Sequence, residues 1–309
     1  MERIITILEV VLPIFTAVGL GILARSKQLV SAEGIRGFQQ FVMQFGLPCV
    51  VFNSCLMAEM AAQSLVSMAL ALAMIVAGTM WALVKGKKRY PYHNLPMLFA
   101  AQETGMLGIP LVIILFGAEH SFRMGMLDLA QAAVAYPMIA LLTANTGDSL
   151  SSGEIVRKVL KSPLVIMSAL GLALNLTGAR GWMDHMGLLQ IVTKSTGFLT
   201  EPVSALMLFS VGYNFSLAKG SRGTIFRISA IHFAAYALIG AAAQLVLCLL
   251  PQVDAVTRWV LALYCILPGS YLTPGLGRRE EDYIMGSGVC SVLTVVTLMC
   301  FCVMVAIVA

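Results

Sequence analysis

Charged residues are scarce in this chain. They make up 11% of its 309 residues, whereas hydrophobic residues make up 59%, and the mean hydropathy is +0.89. A soluble domain carries about a quarter charged residues, so a soluble globular protein is excluded. The net charge of +5 is spread over short connecting segments and forms no basic domain, which excludes nucleic acid as a partner.

Motifs for metal, redox or hydrolytic chemistry are also missing. The seven cysteines all lie inside apolar segments and none forms a CxxC pair, so a metal or disulfide-exchange motif is not expected. An intramembrane enzyme would need paired acids, a Ser–His couple or a zinc pattern, and His232 stands alone in its helix. We therefore predict no enzymatic activity and no cofactor.

Long uncharged runs dominate the sequence instead. Residues 65–84 and 285–309 carry no charge, and roughly 20 apolar residues span a bilayer. The first apolar run is longer than the core of a signal peptide and contains Glu9, so we expect a span there rather than a cleaved signal. Ten transmembrane helices are predicted, at 4–24, 33–57, 63–84, 94–117, 123–146, 163–178, 188–216, 226–250, 256–277 and 283–309.

The distribution of basic residues predicts the orientation. With ten helices, fifteen of the 20 Lys and Arg residues fall in connections on one side of the membrane. Basic loops face the cytoplasm. We therefore expect both termini outside.

The ten helices contain a weak internal repeat. Pro13 precedes Gly21 by eight residues in helix 1, and Pro163 precedes Gly171 by eight residues in helix 6. Helices 2 and 7 each hold a central proline, and helices 4 and 9 each contain a Gly-x4-Pro pattern. Since each half has an odd number of helices, the second half must be inverted relative to the first.

This repeat predicts the domain organisation. Residues 1–146 form the first five-helix repeat, residues 147–162 a cytoplasmic linker, and residues 163–309 the second, inverted repeat. The predicted fold is an all-α integral membrane protein in which helices 4 and 9 are broken and cross each other.

Helices 4 and 9 carry residues that disrupt a transmembrane helix. Proline removes a backbone hydrogen bond and clashes with the preceding turn. Broken backbone is tolerated in lipid only where protein or a wet cavity surrounds it, and paired broken helices in matching halves indicate a transporter site near the midplane. The predicted crossover residues are Gly105, Gly108 and Pro110 in helix 4 and Gly269 and Pro274 in helix 9. The alternative is a simple proline kink packed by its neighbours.

Several segments resemble one known family. "ETGMLGIPLVIILFG", "FGLPCVVFNS" and "KSPLVIMSALGLALNLTG" are similar to the fourth, second and sixth helices of the auxin efflux carrier family. In "QAAVAY", Gln131 lies five residues before Tyr136, as do the family's Gln and Tyr beside the substrate. The resemblance covers nearly the whole chain and is weakest in helices 8 and 10.

The resemblance implies an architecture and a mechanism. Helices 1, 2, 6 and 7 resemble a scaffold, and helices 3–5 and 8–10 resemble a moving transport domain in an elevator-like cycle. Homodimers through the scaffold helices, small carboxylate substrates and no chemical cofactor are implied. The resemblance to bacterial members implies the inner membrane.

Glu103 departs from the family pattern, which usually has an asparagine there. The acid that plant members carry in helix 3 is absent, so we expect Glu103 to be the one intramembrane acid. A charge at bilayer depth costs about 2.5–3.5 kcal/mol on insertion scales. A fixed negative charge would repel an anionic substrate, so we expect either that Glu103 carries a coupling proton or that the substrate is not a simple anion. The alternative is a protonated Glu103 that only bonds across helices.

Polar residues in the predicted helices are further candidates for the substrate site. Arg and Lys are absent from the predicted cavity, which favours a monocarboxylate or binding through backbone dipoles. His232, five residues after Arg227, is expected at the membrane interface. Hydrogen bonding between helices is the alternative role for each candidate. The predicted substrate-binding residues are Asn53, Glu103, Thr104, Gln131, Tyr136, Ser270, Tyr271 and Thr273.

The sequence thus predicts a secondary transporter that moves a small organic acid, coupled to protons through Glu103. The alternative is a sodium-coupled organic-anion symporter of the bile-acid-transporter type. That alternative requires a cluster of acidic and amide groups beside the crossover, and only Gln102 and Glu103 offer one.

Overall fold

The computed structural model describes residues 2–57, 62–143, 157, 160–215, 222–250 and 253–308. Every regular element in these ranges is helical, and extended backbone pairs there only at an isolated bridge between Gln102 and Gly269. The prediction of an all-helical protein is confirmed. The predicted linker at 147–162 lies largely outside the described residues.

The helices follow the predicted apolar segments. In chain order they are α1 (Glu2–Ser26), α2 (Ala32–Phe41), α3 (Leu47–Met57), α4 (Ala62–Trp81), α5 (Lys87–Arg89), α6 (Leu95–Ala100), α7 (Ile109–Phe116), α8 (Ser121–Thr143), α9 (Pro163–Leu176), α10 (Ala179–His185), α11 (Leu188–Thr200), α12 (Val203–Asn214), α13 (Arg222–Cys248), α14 (Ala255–Ile266) and α15 (Glu280–Val308).

Several of these helices are long and apolar enough to cross a membrane. Among the described residues, five continuous helical segments meet that condition, and α9 with α10, which bend by 77° at their junction, would make a sixth. The shorter apolar helices Thr104–Phe116 and α14 belong to the segments predicted as helices 4 and 9. Both segments are interrupted, which is why neither is one long helix.

Two prolines explain local widening of the helices. Pro48 and Pro110 are the second residues of α3 and α7, and a π turn directly precedes each of these helices, at Val42–Gly46 and Thr104–Gly108. A proline cannot donate to the carbonyl four residues earlier, and its ring clashes with that carbonyl. Widening the preceding turn removes the clash, and Pro110 therefore sits in a helix that continues through it.

Glycines allow two pairs of helices to pack closely. A methyl group at Gly21 in α1 would overlap the carbonyl oxygen of Phe209 in α12, and one at Gly212 in α12 would overlap the carbonyl oxygen of Val18. A methyl group at Gly171 in α9 would lie 2.6 Å from the carbonyl oxygen of Phe52 in α3. Helices α1 and α12, and likewise α9 and α3, are therefore in backbone contact.

The functional region lies where the two interrupted segments meet. The first runs from α6 through the non-helical residues 101–103 into the helix Thr104–Phe116. The second runs from α14 through residues 267–273 to a 3-10 turn at Pro274–Leu276. Helices α4, α8, α13 and α15 pack around this crossing.

Candidate functional site

The two interrupted segments cross through backbone hydrogen bonds. The Glu103 N–H donates to the Pro268 carbonyl at 2.8 Å, and the Ser270 N–H donates to the Ala101 carbonyl at 2.9 Å. These bonds flank the antiparallel bridge between Gln102 and Gly269. Each break thus satisfies part of the hydrogen-bonding capacity that the other break loses.

The crossing is too tight for a side chain at Gly269. A methyl group there would lie 2.7 Å from the carbonyl oxygen of Leu98 and 3.0 Å from the Cα of Leu98. Gly108 is also close to the second segment, since a methyl group there would lie 2.9 Å from the side chain of Leu267. The contact of Gly269 with backbone requires glycine for close approach, whereas the Leu267 side chain could shift to admit a methyl group at Gly108.

The last carbonyls of α6 bind side chains of neighbouring helices. His232 in α13 bonds the Leu98 carbonyl at 3.0 Å, and the Tyr236 hydroxyl donates to the Phe99 carbonyl at 2.6 Å. The Thr79 hydroxyl also donates to Phe99, at 3.1 Å. His232 is 1% exposed and supports the end of a broken helix. Its predicted place at the membrane interface is therefore wrong.

Gln131 in α8 pairs with the backbone of Gln102. Its side-chain oxygen accepts the Gln102 N–H at 2.8 Å, and its side-chain nitrogen donates to the Gln102 carbonyl at 3.0 Å. The Tyr264 hydroxyl donates to the same Gln131 oxygen at 3.0 Å. Gln131 therefore acts at the break as a neighbouring strand would, by supplying both a donor and an acceptor.

The Glu103 carboxylate connects the two breaks. One oxygen accepts the Tyr271 N–H at 2.7 Å, and the other accepts the Met106 N–H at 3.2 Å. Met106 lies in the first turn of the helix that Glu103 caps, where backbone N–H groups have no intrahelical acceptor. The carboxylate thus lies at a place suited to an anion, between N–H groups of both segments.

A cavity of about 380 Å³ opens beside Glu103. Its walls come from α2, α3, α8, α9, the end of α12 and both crossing segments. Polar groups cluster on the side of the crossing, while methionine, leucine and alanine side chains form much of the rest. Of the predicted site residues, those that line the cavity are Glu103, Thr104, Gly105, Gln131, Ser270 and Tyr271.

A second acid lines the same cavity. The Thr104 hydroxyl donates to the Asp128 carboxylate, and the Gln131 side-chain nitrogen donates to it at 2.9 Å. The expectation that Glu103 is the one intramembrane acid is therefore wrong. Asp128 lies three residues before Gln131 on α8, and this i, i+3 spacing on one helix face was the signal that would have identified it.

Other predicted residues lie elsewhere. Asn53 does not line the cavity, because its side-chain oxygen accepts the Thr196 hydroxyl at 2.6 Å on the side of α3 that faces α11. The Thr273 carbonyl accepts the Asn94 side-chain nitrogen at 2.8 Å, and Thr273 is fully buried. The side chain of Tyr136 lies outside the described residues.

Most of the predicted crossover residues lie after the crossing rather than at it. Gly105, Gly108 and Pro110 lie in the helix that follows the crossing, and Pro274 lies in the 3-10 turn that follows it in the second segment. Of the five predicted crossover residues, Gly269 is at the crossing itself.

The site can bind a small solute between fixed polar groups. It offers two carboxylates, the hydroxyl of Ser270 and the backbone of the crossing, and no Lys, Arg or His is among the described residues that line it. An anion entering this cavity would meet two acids, so it must enter with protons, or else occupy a place away from them.

The comparison with known families agrees with a transporter. The sequence model of the membrane transport protein family matches residues 6–307, and none of the curated proteins matches the chain. Members of this family are transporters rather than enzymes, and the sodium-coupled alternative is not favoured. Since the match spans nearly the whole chain, this protein is a multi-pass membrane protein that belongs to the auxin efflux carrier family.

Proposed function

We propose that this protein is a secondary transporter that moves a small organic acid by alternating access around the crossing of residues 101–103 and 267–273. The observation that carries the proposal is the Glu103 carboxylate, which accepts N–H groups from both crossing segments beside a cavity of about 380 Å³. A substrate that enters this cavity meets backbone from both halves of the chain at once.

The proposed coupling ion is a proton carried by Glu103. An ionised carboxylate accepts hydrogen bonds more strongly than a neutral carboxyl group does, so protonation weakens its bonds to Tyr271 and Met106. Those N–H groups then become available to a carboxylate of the substrate. Proton uptake and anion binding would therefore occur together.

Helix packing supports the proposed inverted repeat and an elevator-like cycle. Gly21 in predicted helix 1 contacts predicted helix 7, and Gly171 in predicted helix 6 contacts predicted helix 2. Helix 1 of the first half thus contacts the second helix of the other half, and helix 6, the first helix of the second half, contacts helix 2. This correspondence is expected if the two halves are equivalent. In this proposal helices 1, 2, 6 and 7 form a scaffold, and helices 3–5 and 8–10 move along it.

We further propose a homodimer through the scaffold helices, in the bacterial inner membrane with both termini outside. Chemical crosslinking in native membranes and protease accessibility of terminal tags would test the dimer and the orientation.

Uptake into proteoliposomes tests the transport function. Purified protein is reconstituted, and uptake of labelled acetate, benzoate and succinate is measured with and without an imposed pH gradient. We expect at least one carboxylate to accumulate, and to do so faster when the outside is more acidic. If no carboxylate is transported or stabilises the protein against heat at any pH from 5 to 8, the organic-acid proposal is wrong.

A further inference from the structure

A second cavity adjoins the central one. It has a volume of about 410 Å³ and shares Tyr271 and Asn214 with the central cavity. Its remaining wall is formed by the end of α1, the start of α2, the end of α12, the 3-10 turn after the crossing and the first half of α15. Hydroxyl groups line the α15 wall, where Ser287 and Thr294 are found.

The charges of the two cavities are opposite. Glu103 and Asp128 line the central cavity, whereas Arg25 is the single charged residue among the described residues that line the second one. The central cavity therefore repels an anion, and the second cavity attracts one. Arg25 is absent from the sequence-based candidates because it lies at the end of a helix, where basic residues usually set orientation.

Arg25 is exposed, and one nitrogen of its guanidinium bonds the end of α12. Nη1 donates to the Phe215 carbonyl at 2.8 Å and to the Tyr213 carbonyl at 3.3 Å. Both carbonyls lie at the C-terminal end of α12, which attracts a positive charge. Among the described residues, Nε and Nη2 have no hydrogen-bond partner, so one edge of the guanidinium keeps two parallel donors.

That edge matches a carboxylate. Two parallel N–H donors of arginine bind two carboxylate oxygens in a bidentate pair, which is stronger and more directional than a single bond. The bonds to α12 already restrict the guanidinium, so less side-chain freedom is lost when the pair forms than for an unbonded arginine.

Tyr271 connects this cavity to the crossing. Its hydroxyl bonds the Thr294 hydroxyl at 2.6 Å in the wall of the second cavity, while its N–H donates to the Glu103 carboxylate. A ligand in the second cavity is thus one residue away from the acid that we propose to carry the proton.

We propose that the second cavity is the binding place for the anionic form of the substrate, a small carboxylate that pairs side-on with Arg25. This inference rests on the proposed organic-acid function. It keeps the anionic substrate apart from the two acids until Glu103 takes up a proton and releases the Tyr271 N–H, and Tyr271 lies between the two places. The sequence predicts a substrate cavity without Arg or Lys, whereas in this proposal one arginine, Arg25, contacts the substrate.

Carboxylate binding to purified protein tests the proposal. Dissociation constants of acetate, benzoate and succinate are measured by calorimetry for the wild type, Arg25→Gln, Arg25→Lys and Lys27→Gln. We expect Arg25→Gln to weaken binding by about ten- to a hundredfold, in line with a lost charge-assisted bond. Arg25→Lys keeps the charge but loses the side-on pair, so an intermediate loss is expected. Lys27→Gln removes a nearby basic charge that does not line the cavity and should leave binding unchanged.

Arg25 also anchors α12, so its substitution can disturb folding. Ser287→Asp leaves that anchor intact and places an acid in the same cavity, and it should weaken carboxylate binding at least tenfold without lowering the melting temperature. If the wild type binds a carboxylate and Ser287→Asp and the folded Arg25 variants bind it equally well, this inference is overturned while the proposed function stands. If the wild type binds none of the carboxylates, both fail.

Discussion

Gln102 and Gly269 lie opposite each other as antiparallel bridge partners at the crossing of two interrupted helices. The Gln102 N–H and carbonyl point to the Gln131 side chain, and Gly269 approaches the backbone of Leu98. The crossing therefore depends on the amide side chain of Gln131 and on the absence of a side chain at Gly269. Both dependences can be measured.

Gly269→Ala should destabilise the protein. The added methyl group would lie 2.7 Å from the Leu98 carbonyl oxygen, and backbone cannot give way as a flexible side chain can. Overpacking of this kind costs typically 1–3 kcal/mol. Thermal melting in detergent should show a clear loss relative to Gly275→Ala, which adds a methyl group in open space in the same segment. Equal melting of the two variants would contradict the close crossing.

Gln131→Met should also lower stability, by a different route. Methionine has a similar length but leaves the buried Gln102 N–H and carbonyl without their partner, and an unsatisfied buried group costs about 1–3 kcal/mol. Hydrogen exchange should accelerate at residues 101–103. Gln39→Met is the matched control, because Gln39 lines the same cavity but does not pair with the broken backbone. A Gln131→Met variant with wild-type exchange there would disprove the pairing role.

The sequence predicts the class of fold better than it predicts the position of the break. Gly and Pro patterns identify the two segments that cross, because these residues weaken helices wherever they occur. The break itself lies at residues 101–103, where "AQE" has no breaking residue, because tertiary pairing with Gln131 and Pro268 stabilises extended backbone there. Pro110 instead widens the turn before it.

Several predicted residues line one cavity in the structure, and other residues line it because of helix packing that the sequence does not show. Glu103, Thr104 and Gln131 are close to each other, as the resemblance suggested. Asp128 lines the central cavity and Arg25 the second one, and neither position could be predicted because each depends on which neighbours face the residue across the helix bundle. Asn53 was predicted at the site because it is polar and central in its helix, but its side chain lies on the helix face that contacts Thr196.

Gly21→Ala should disrupt the contact between α1 and α12. The new methyl group would overlap the Phe209 carbonyl oxygen, whereas a methyl group at Gly19, two residues earlier on α1, meets nothing. We expect Gly21→Ala to lower the melting temperature or to prevent purification of folded protein. Gly19→Ala should match the wild type or exceed it slightly, since alanine favours helix over glycine by roughly 1 kcal/mol. If both alanine variants melt alike, the helices are not in backbone contact.

Asp254→Asn should reduce stability at pH values above the pKa of Asp254 and have a smaller effect at lower pH. Burial alone would raise the pKa of Asp254, but the Thr257 N–H and Arg123 lower it to about 2. A lowered folded-state pKa stabilises the folded protein above the ordinary value of 3.8 and loses that effect as the pH falls toward 2. The Asp254–Arg123 pair is 2.8 Å long and partly exposed, so its contribution is under about 1 kcal/mol.

Melting temperatures at pH 7, 5 and 3 check this prediction. Asparagine keeps the cap of α14, so the variant isolates the charge. The difference from the wild type should be equal at pH 7 and 5 and smaller at pH 3. A difference that grows as the pH falls has the wrong sign and would exclude the ion pair as its cause. Asp184→Asn in α10, whose residue is exposed, controls for loss of a surface charge.

Glu103→Gln should make carboxylate uptake independent of pH. Glutamine keeps an oxygen that can accept the Tyr271 N–H but cannot bind or release a proton, so the exchange between the Glu103 carboxylate and a substrate carboxylate is lost. Uptake into proteoliposomes should no longer respond to an imposed pH gradient, while binding measured at pH 5 persists. Glu201→Gln, at an exposed turn between α11 and α12, should keep the wild-type response. Asp128→Asn distinguishes the two cavity acids: if it abolishes the pH response and Glu103→Gln does not, the coupling proton resides on Asp128 and the proposed role of Glu103 is wrong.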